Sequence, residues 1–237
     1  MPRPSAEIRA VLAAALTNAA MADSAAFPVA DCAACLGLDG VTVCLLTAAG
    51  RSELLWYDKS DERGPALDDL QYTLGEGPTP DAIRHGRAYL EADLALTTRI
   101  WPGFRPAAQA AGIHAVFALP LRIGAIHLGV VTGYRTTPGP LSEQQMSDDL
   151  AVAETLTVLL TARLDPLSPL TEPAGLHRAE VHQATGKLSA QLGIPLEHAL
   201  LRLRAHAYSN DRPILDVAHD IITNRLHLDP DPPSPPQ

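Results

Sequence analysis

Little in this sequence points to catalysis or to a membrane. There are three cysteines, Cys32, Cys35 and Cys44, an odd, sparse set that offers no disulfide framework and fits a reducing compartment. No apolar run reaches the roughly 20 residues that span a bilayer. Nucleophile elbow, phosphate loop, dinucleotide-binding glycines and HExxH are all missing. His114 and His127 fall on neighbouring strand segments, Asp81 and Asp93 lie elsewhere, and the C-terminal histidines lack the i, i+4 pairs that suggest zinc. An enzyme, a metal site and a cofactor are therefore not expected. Cys32-Ala-Ala-Cys35 has metal or redox spacing but lacks a second pair; two small apolar residues on one helix face is the plainer reading.

Positive charge is also scarce, and unevenly so. The net charge of −9 disfavours broad attraction to nucleic acid or anionic lipid. Residues 1–175 hold twelve Lys/Arg against twenty Asp/Glu, whereas residues 176–228 hold six against five, together with six of the nine histidines. A near-neutral, His-rich segment on an acidic body suggests a separate task. The N-terminus imitates a secretion signal, but Glu7, Thr17 and Asn18 interrupt it, so an Ala-rich amphipathic helix and a cytoplasmic protein are expected.

The 237 residues, 46% of them hydrophobic, can bury a sizeable core in one or two domains. Strand composition recurs in VTVCLL (41–46), SELLWYD (52–58), AYLEADL (88–94), HAVFALPLRI and AIHLGVVTGYR, the last two flanking a Gly124-Ala125 hairpin turn. ALDDLQYTL, TPDAIRHG and WPGFRPAAQAAG between them read as helices, with Thr79 as a cap and Pro80 in the first helical position. This interleaving predicts an α+β domain with one central antiparallel sheet. A closing helix carries a stripe of Met146, Leu150, Ala153, Thr157, Leu160 and Leu164, suited to docking on its own sheet or to a dimer seam.

Prolines at 166, 169 and 173 mark a linker over 165–175 between a domain at 1–164 and a second at 176–228, and the Pro-rich tail 229–237 reads as disordered. The second domain reads as three short helices. Val181, Ala184, Leu188 and Leu192 form the first stripe, ended by Gly193; Leu196, Ala199, Leu200, Leu203 and Ala207 form the second. Ile214, Val217, Ala218, Ile221 and Ile222 form the third, with Asn210 and Asp211 as cap candidates. On the middle helix Arg204 shares a side with Leu201 and Tyr208, and arginine beside an exposed aromatic suits unpaired RNA bases.

Residues 181–226 resemble the ANTAR domain, an RNA-binding antiterminator module of bacterial signalling proteins, through Ala184-x-Gly186-x-Leu188, Leu203-Arg204 with Ala207, and Asn210 followed by Asp216-Val217-Ala218. Residues 41–164 resemble a GAF sensor domain of the subtype fused to ANTAR in actinobacteria, through LQYTLGEGPTPDA, ADL, IWPGF, AAGIHAVFALPLRIG and LGVVTGYR. The resemblance implies an N-terminal GAF domain sensing a small-molecule or protein signal, and a dimeric regulator whose C-terminal bundle binds paired hairpins in nascent RNA. It implies RNA contacts at Lys187, Arg204, Tyr208 and Arg212, with His206 a weaker candidate, and close helix approach at Ala184 and Gly186. It also implies a pocket with candidate liners Trp56, Tyr72, Trp101, Phe104 and Phe117, its lid made by LGEGPTPDA with free N–H groups at the Pro80 helix for an anion. Thr185, Ser189, Leu200 and Pro213 depart from the ANTAR pattern, where basic residues, methionine or an aromatic are usual. An interaction adaptor without RNA binding is the alternative.

Overall fold

The computed structural model describes residues 2–21, 27–47, 52–96, 100–163 and 177–228. Leu164, the proline segment 165–175 and the tail 229–237 lie outside the described residues. The chain divides into two compact units, Met1–His177 and Arg178–Gln237.

The N-terminal unit runs α1 (Ala6–Met21), α2 (Val29–Leu36), β1 (Gly40–Leu46), β2 (Ser52–Tyr57), α3 (Arg63–Leu74), α4 (Pro78–His85), β3 (Tyr89–Glu91), α5 (Phe104–Ala110), β4 (Ala115–Ile123), β5 (Ile126–Arg135) and α6 (Glu143–Arg163). The five strands form one antiparallel sheet in the order β2-β1-β5-β4-β3. The sheet's side chains divide between two cores, by period-two alternation along β4. Val41, Val43, Phe117, Leu119, Leu128 and Val131 face the cluster built with α1, α2 and α6. Val116, Ala118, Val130 and Tyr134 face the cluster built with α3, α4 and α5. Gly129 sits where β1 and β5 come closest: a Cβ there would lie 2.0 Å from the Cys44 carbonyl oxygen.

α6 turns a different face inward from the one its apolar pattern predicts. Ala153 and Leu160 are buried as expected, but Met146, Leu150 and Thr157 are only partly covered. The buried face runs through Asp149, Val152, Leu156 and Leu160. The pattern failed because Asp148 and Asp149 read as solvent residues, whereas α1 and α2 close over both. Complete burial of Val152 and Leu156, both outside the predicted stripe, contributes roughly 1.5–3 kcal/mol each, which holds the helix in this rotation. Among the described residues, no helix is long and apolar enough to cross a membrane.

The C-terminal unit consists of α7 (Ala179–Leu192), α8 (Leu196–Ser209) and α9 (Ile214–Ile222). Its core is Val181, Ala184 and Leu188, Ala199, Leu203 and Ala207, and Ile214, Val217, Ala218 and Ile221. Four expectations change. Leu196 is exposed, because it lies in the first turn of α8, and Leu192 and Leu200 are half-buried. Asn210 closes the helix before it rather than opening the one after: its Nδ2 donates to the His206 carbonyl at 2.8 Å. Asp211 takes a left-handed φ of +50° and also leaves α9 uncapped, since Pro213 precedes that helix with no side-chain cap bond. A Cβ on Gly186 would meet nothing within 4 Å, so the tight helix approach rests on Ala184 alone.

Candidate ligand face and nucleic-acid interface

The α3–α4 corner is built around a glutamine. Gly77, at φ +124°, lets the chain turn over the Gln71 side chain; a Cβ there would lie 2.5 Å from Gln71 Oε1. Gln71 then pairs with Thr79 twice: Oε1 accepts the Thr79 N–H at 2.9 Å, and Nε2 donates to Thr79 Oγ1 at 3.0 Å. Thr79 Oγ1 lies 2.8 Å from Thr132 Oγ1 on β5. Close by, the Cys44 thiol donates to Asp68 Oδ1 at 3.0 Å. All of these side chains are buried. The β1–β5 half of this sheet face therefore carries a hydrogen-bonded polar layer beside the apolar β3–β4 half, each buried polar group held by a partner as low dielectric demands.

This arrangement corrects three expectations for LGEGPTPDA. Pro78, not Pro80, takes the first helical position; Gly77 is the N-cap; and Thr79 does not cap, because its hydroxyl is committed to Thr132 and Gln71. The helix end also has no free donors for an anion. Pro78 and Pro80 lack an N–H, Thr79 gives its own to Gln71, and Asp81 gives its own to the Gly77 carbonyl.

The structure separates the five aromatic candidates. Trp101 and Phe104 meet edge to face, centroids 6.0 Å apart, on the α3–α5 side of the sheet. Tyr72 is buried on α3. Trp56 and Phe117 lie on the opposite sheet face, Trp56 against Phe27 at 5.7 Å; strand alternation, invisible without the register, puts them there. Two carboxylates of the LGEGPTPDA segment position the Trp101 loop. Asp81 Oδ2 accepts the Trp101 indole N–H at 2.9 Å, and Glu76 Oε2 accepts the Gly103 and Phe104 N–H groups at 2.9 and 3.3 Å. Trp101 has φ +54°, an uncommon conformation for a bulky residue that such fixing sustains.

A cleft of about 490 Å³ opens between Asp39, Asp58, Asp61, Arg63, Tyr134 and Thr136. Its carboxylates serve the local fold. Asp39 accepts the Thr136 N–H and hydroxyl at 2.6 and 2.7 Å, and this backbone hydrogen bond above all holds its carboxyl below the usual range. Asp61 Oδ1 accepts the Arg63 and Gly64 N–H groups and the Tyr134 hydroxyl. Cys32 and Cys35 share α2, but burial, followed by the neighbouring thiol and carboxylates, pushes Cys32 up to about 12; burial and Glu7 raise Cys35 as well. Both hold their protons, which opposes thiolate chemistry at neutral pH. Among the described residues, no group of three or more His, Cys, Asp or Glu could hold a metal ion.

In the C-terminal unit, three of the four RNA candidates, Lys187, Arg204 and Arg212, have partners. Lys187 is not free to reach a phosphate: its Nζ donates to the Ile221 and Ile222 carbonyls and to Asn224 Oδ1 at 2.7, 3.0 and 2.7 Å. All three ammonium protons close the C-terminal end of α9, where the helix dipole also favours a cation. Arg212 Nη2 donates to Asp220 Oδ2 at 2.6 Å, and this bond, foremost, lowers the Asp220 carboxyl. Arg204 is half-buried and His206 partly covered, whereas Tyr208 and Leu201 are 61% and 64% exposed. Lys187→Met is expected to lower the stability of the three-helix unit by about 1 kcal/mol, read from urea unfolding followed by helical circular dichroism; an unchanged midpoint would show the cap to be idle.

No protein-family model matches the sequence, and no curated protein matches it. Solved structures do. The GAF domain of a phosphoenolpyruvate-protein phosphotransferase from Coxiella burnetii superposes with a TM-score of 0.50 at 13% identity, covering 66% of this chain and 94% of that one. The phycocyanobilin-bound GAF domain of a cyanobacterial phytochrome gives 0.51 at 14% identity, covering 68% and 98%. The five-stranded antiparallel sheet with helices on both faces thus has the fold of a GAF domain.

Proposed function

We propose that the chain is a cytoplasmic, homodimeric transcription-antitermination regulator. Its GAF-fold unit takes up a small-molecule or partner signal, and its C-terminal unit, an ANTAR-type bundle, binds paired hairpins of a nascent RNA. The observation that carries this reading is the outer face of α8. The Tyr208 ring is largely in solvent beside exposed Leu201, one turn from Arg204. An aromatic placed this way covers no core and offers its face to a base, an interaction worth about 1–3 kcal/mol per base. With Lys187 and Arg212 engaged inside the unit, few phosphate contacts remain, so binding rests on stacking and has a shallow salt dependence.

Binding of the purified protein to a labelled two-hairpin leader RNA, with a single-hairpin RNA alongside, tests the proposal. Preference for the paired hairpins is expected, weakened about tenfold or more by Tyr208→Ala and also by Arg204→Ala. One observation favours a second reading, an adaptor that docks another protein: Leu196 and Leu201 are 53% and 64% exposed. Absence of RNA binding at both low and moderate salt would sink the first reading in favour of the second.

A further inference from the structure

α6 carries a carboxyl group where its packing calls for an apolar side chain. Asp149 shares the inward face of Val152, Leu156 and Leu160, is 4% exposed, and has no hydrogen bond among the described residues. The turn around it straps down the N-terminal segment. Gln144 Nε2 donates to the Arg3 carbonyl at 2.9 Å and to Asp148 Oδ1 at 3.0 Å; Ser147 Oγ donates to the Pro2 carbonyl at 2.7 Å; Asp148 Oδ1 accepts the Ser5 N–H at 2.7 Å. α1 then lays Ile8, Leu12 and Ala15 into the same cluster as Cys32 and Leu36 of α2.

The ionisable groups around this joint are mostly acidic. α2 contributes Asp31, Cys32 and Cys35, α1 contributes Glu7, and α6 itself contributes Asp148. Arg9 of α1 directs its Nε to the Ser5 carbonyl at 3.3 Å, and β4 presents Ala115, Phe117, Leu119 and Leu121. A negative charge on Asp149 thus enters an apolar joint with acidic neighbours and, among the described residues, no hydrogen bond to its carboxyl, and a poorly solvated charge is among the most costly features a fold can hold.

We propose that Asp149 is the proton switch of an N-terminal strap: residues 2–21 dock on α6 and α2 while its carboxyl is protonated, and ionisation of that carboxyl to solvent releases them. The segment 2–21 is what yields, because it is held by hydrogen bonds between its residues 2–5 and three α6 side chains and by one apolar stripe of α1, whereas α6 and α2 also pack on the sheet. Desolvation pushes the Asp149 carboxyl up to about 7, so release is favoured progressively as pH rises from about 4 and levels off above about 7. The switch is independent of what the C-terminal unit binds.

Hydrogen–deuterium exchange of the full-length protein at pH 5 and pH 8, corrected for intrinsic rates, tests this. Peptides from α1 are expected to lose protection tenfold or more at pH 8 while β4–β5 peptides keep theirs. In Asp149→Asn, α1 stays protected at both values. Equal α1 protection in the wild type at the two pH values would overturn the proposal, as would parallel loss in the sheet or an unchanged response in the variant. Should the variant not fold, the wild-type comparison decides by itself.

Discussion

Gly129→Ala is expected to cost about 3 kcal/mol or more, at or beyond the upper end for overpacking. The new Cβ would sit 2.0 Å from the Cys44 carbonyl oxygen and 3.3 Å from the Leu45 Cα, and both are backbone atoms that no rotamer change can move. Leu45 pairs with Gly129 inside the sheet, so relief requires β1 to part from β5 at the centre of the unit. Against a typical total of about 5–15 kcal/mol, that loss leaves a marginal domain. Urea unfolding followed through Trp56 and Trp101 fluorescence measures it. Gly186→Ala in the C-terminal unit, followed by helical circular dichroism, is the contrast, since its Cβ enters open space in a helix interior where alanine is favoured by up to about 1 kcal/mol. An unchanged midpoint for Gly129→Ala would refute the close-approach argument.

Asp149→Asn is expected to act in the opposite direction, and only above about pH 4. Below about pH 4 the carboxyl is protonated in folded and unfolded chains alike, so it creates no pH dependence. Between its ordinary value of 3.8 and the raised value of about 7, the unfolded chain ionises first while the native state keeps its proton. The native state then binds more protons, and stability falls as pH rises. Above about pH 7 the loss levels off at no more than about 4 kcal/mol, from roughly three pH units at 1.36 kcal/mol each; release of α1 lowers that ceiling. The asparagine variant cannot ionise, so its melting temperature should match the wild type at pH 4 and exceed it clearly at pH 8. Parallel pH curves for both proteins would show that Asp149 titrates normally.

The exposed face of α8 and the occupied lysine of α7 bear on each other. Under the proposed RNA-binding function the chain offers the exposed Tyr208 ring to a base, whereas Lys187 closes α9. Its affinity for RNA would then depend on bases more than on phosphates, a property the salt series measures directly.

The strands and helices of both units were legible because they follow from periods of 2 and 3.6 and from turn residues: Gly124 between β4 and β5, Gly193 after α7, Pro213 before α9. Such signals are local, and a sequence shows them directly. Four things were not legible. Thr79 looks like a cap until Gln71 and Thr132, 8 and 53 residues away, claim its hydroxyl. Trp56 and Phe117 look like partners of Trp101 until the register sets them on the other face of the sheet. Lys187 looks solvated until the end of α9 arrives beside it. Asp149 looks like a surface residue until α1 and α2 cover it. The sequence by itself determined which segments are helix or strand and where the chain turns, because those depend on residues within a few positions of one another. Only the tertiary structure decided which polar groups are buried and what satisfies them, because a hydrogen bond or a desolvated charge depends on atoms brought together from distant parts of the chain.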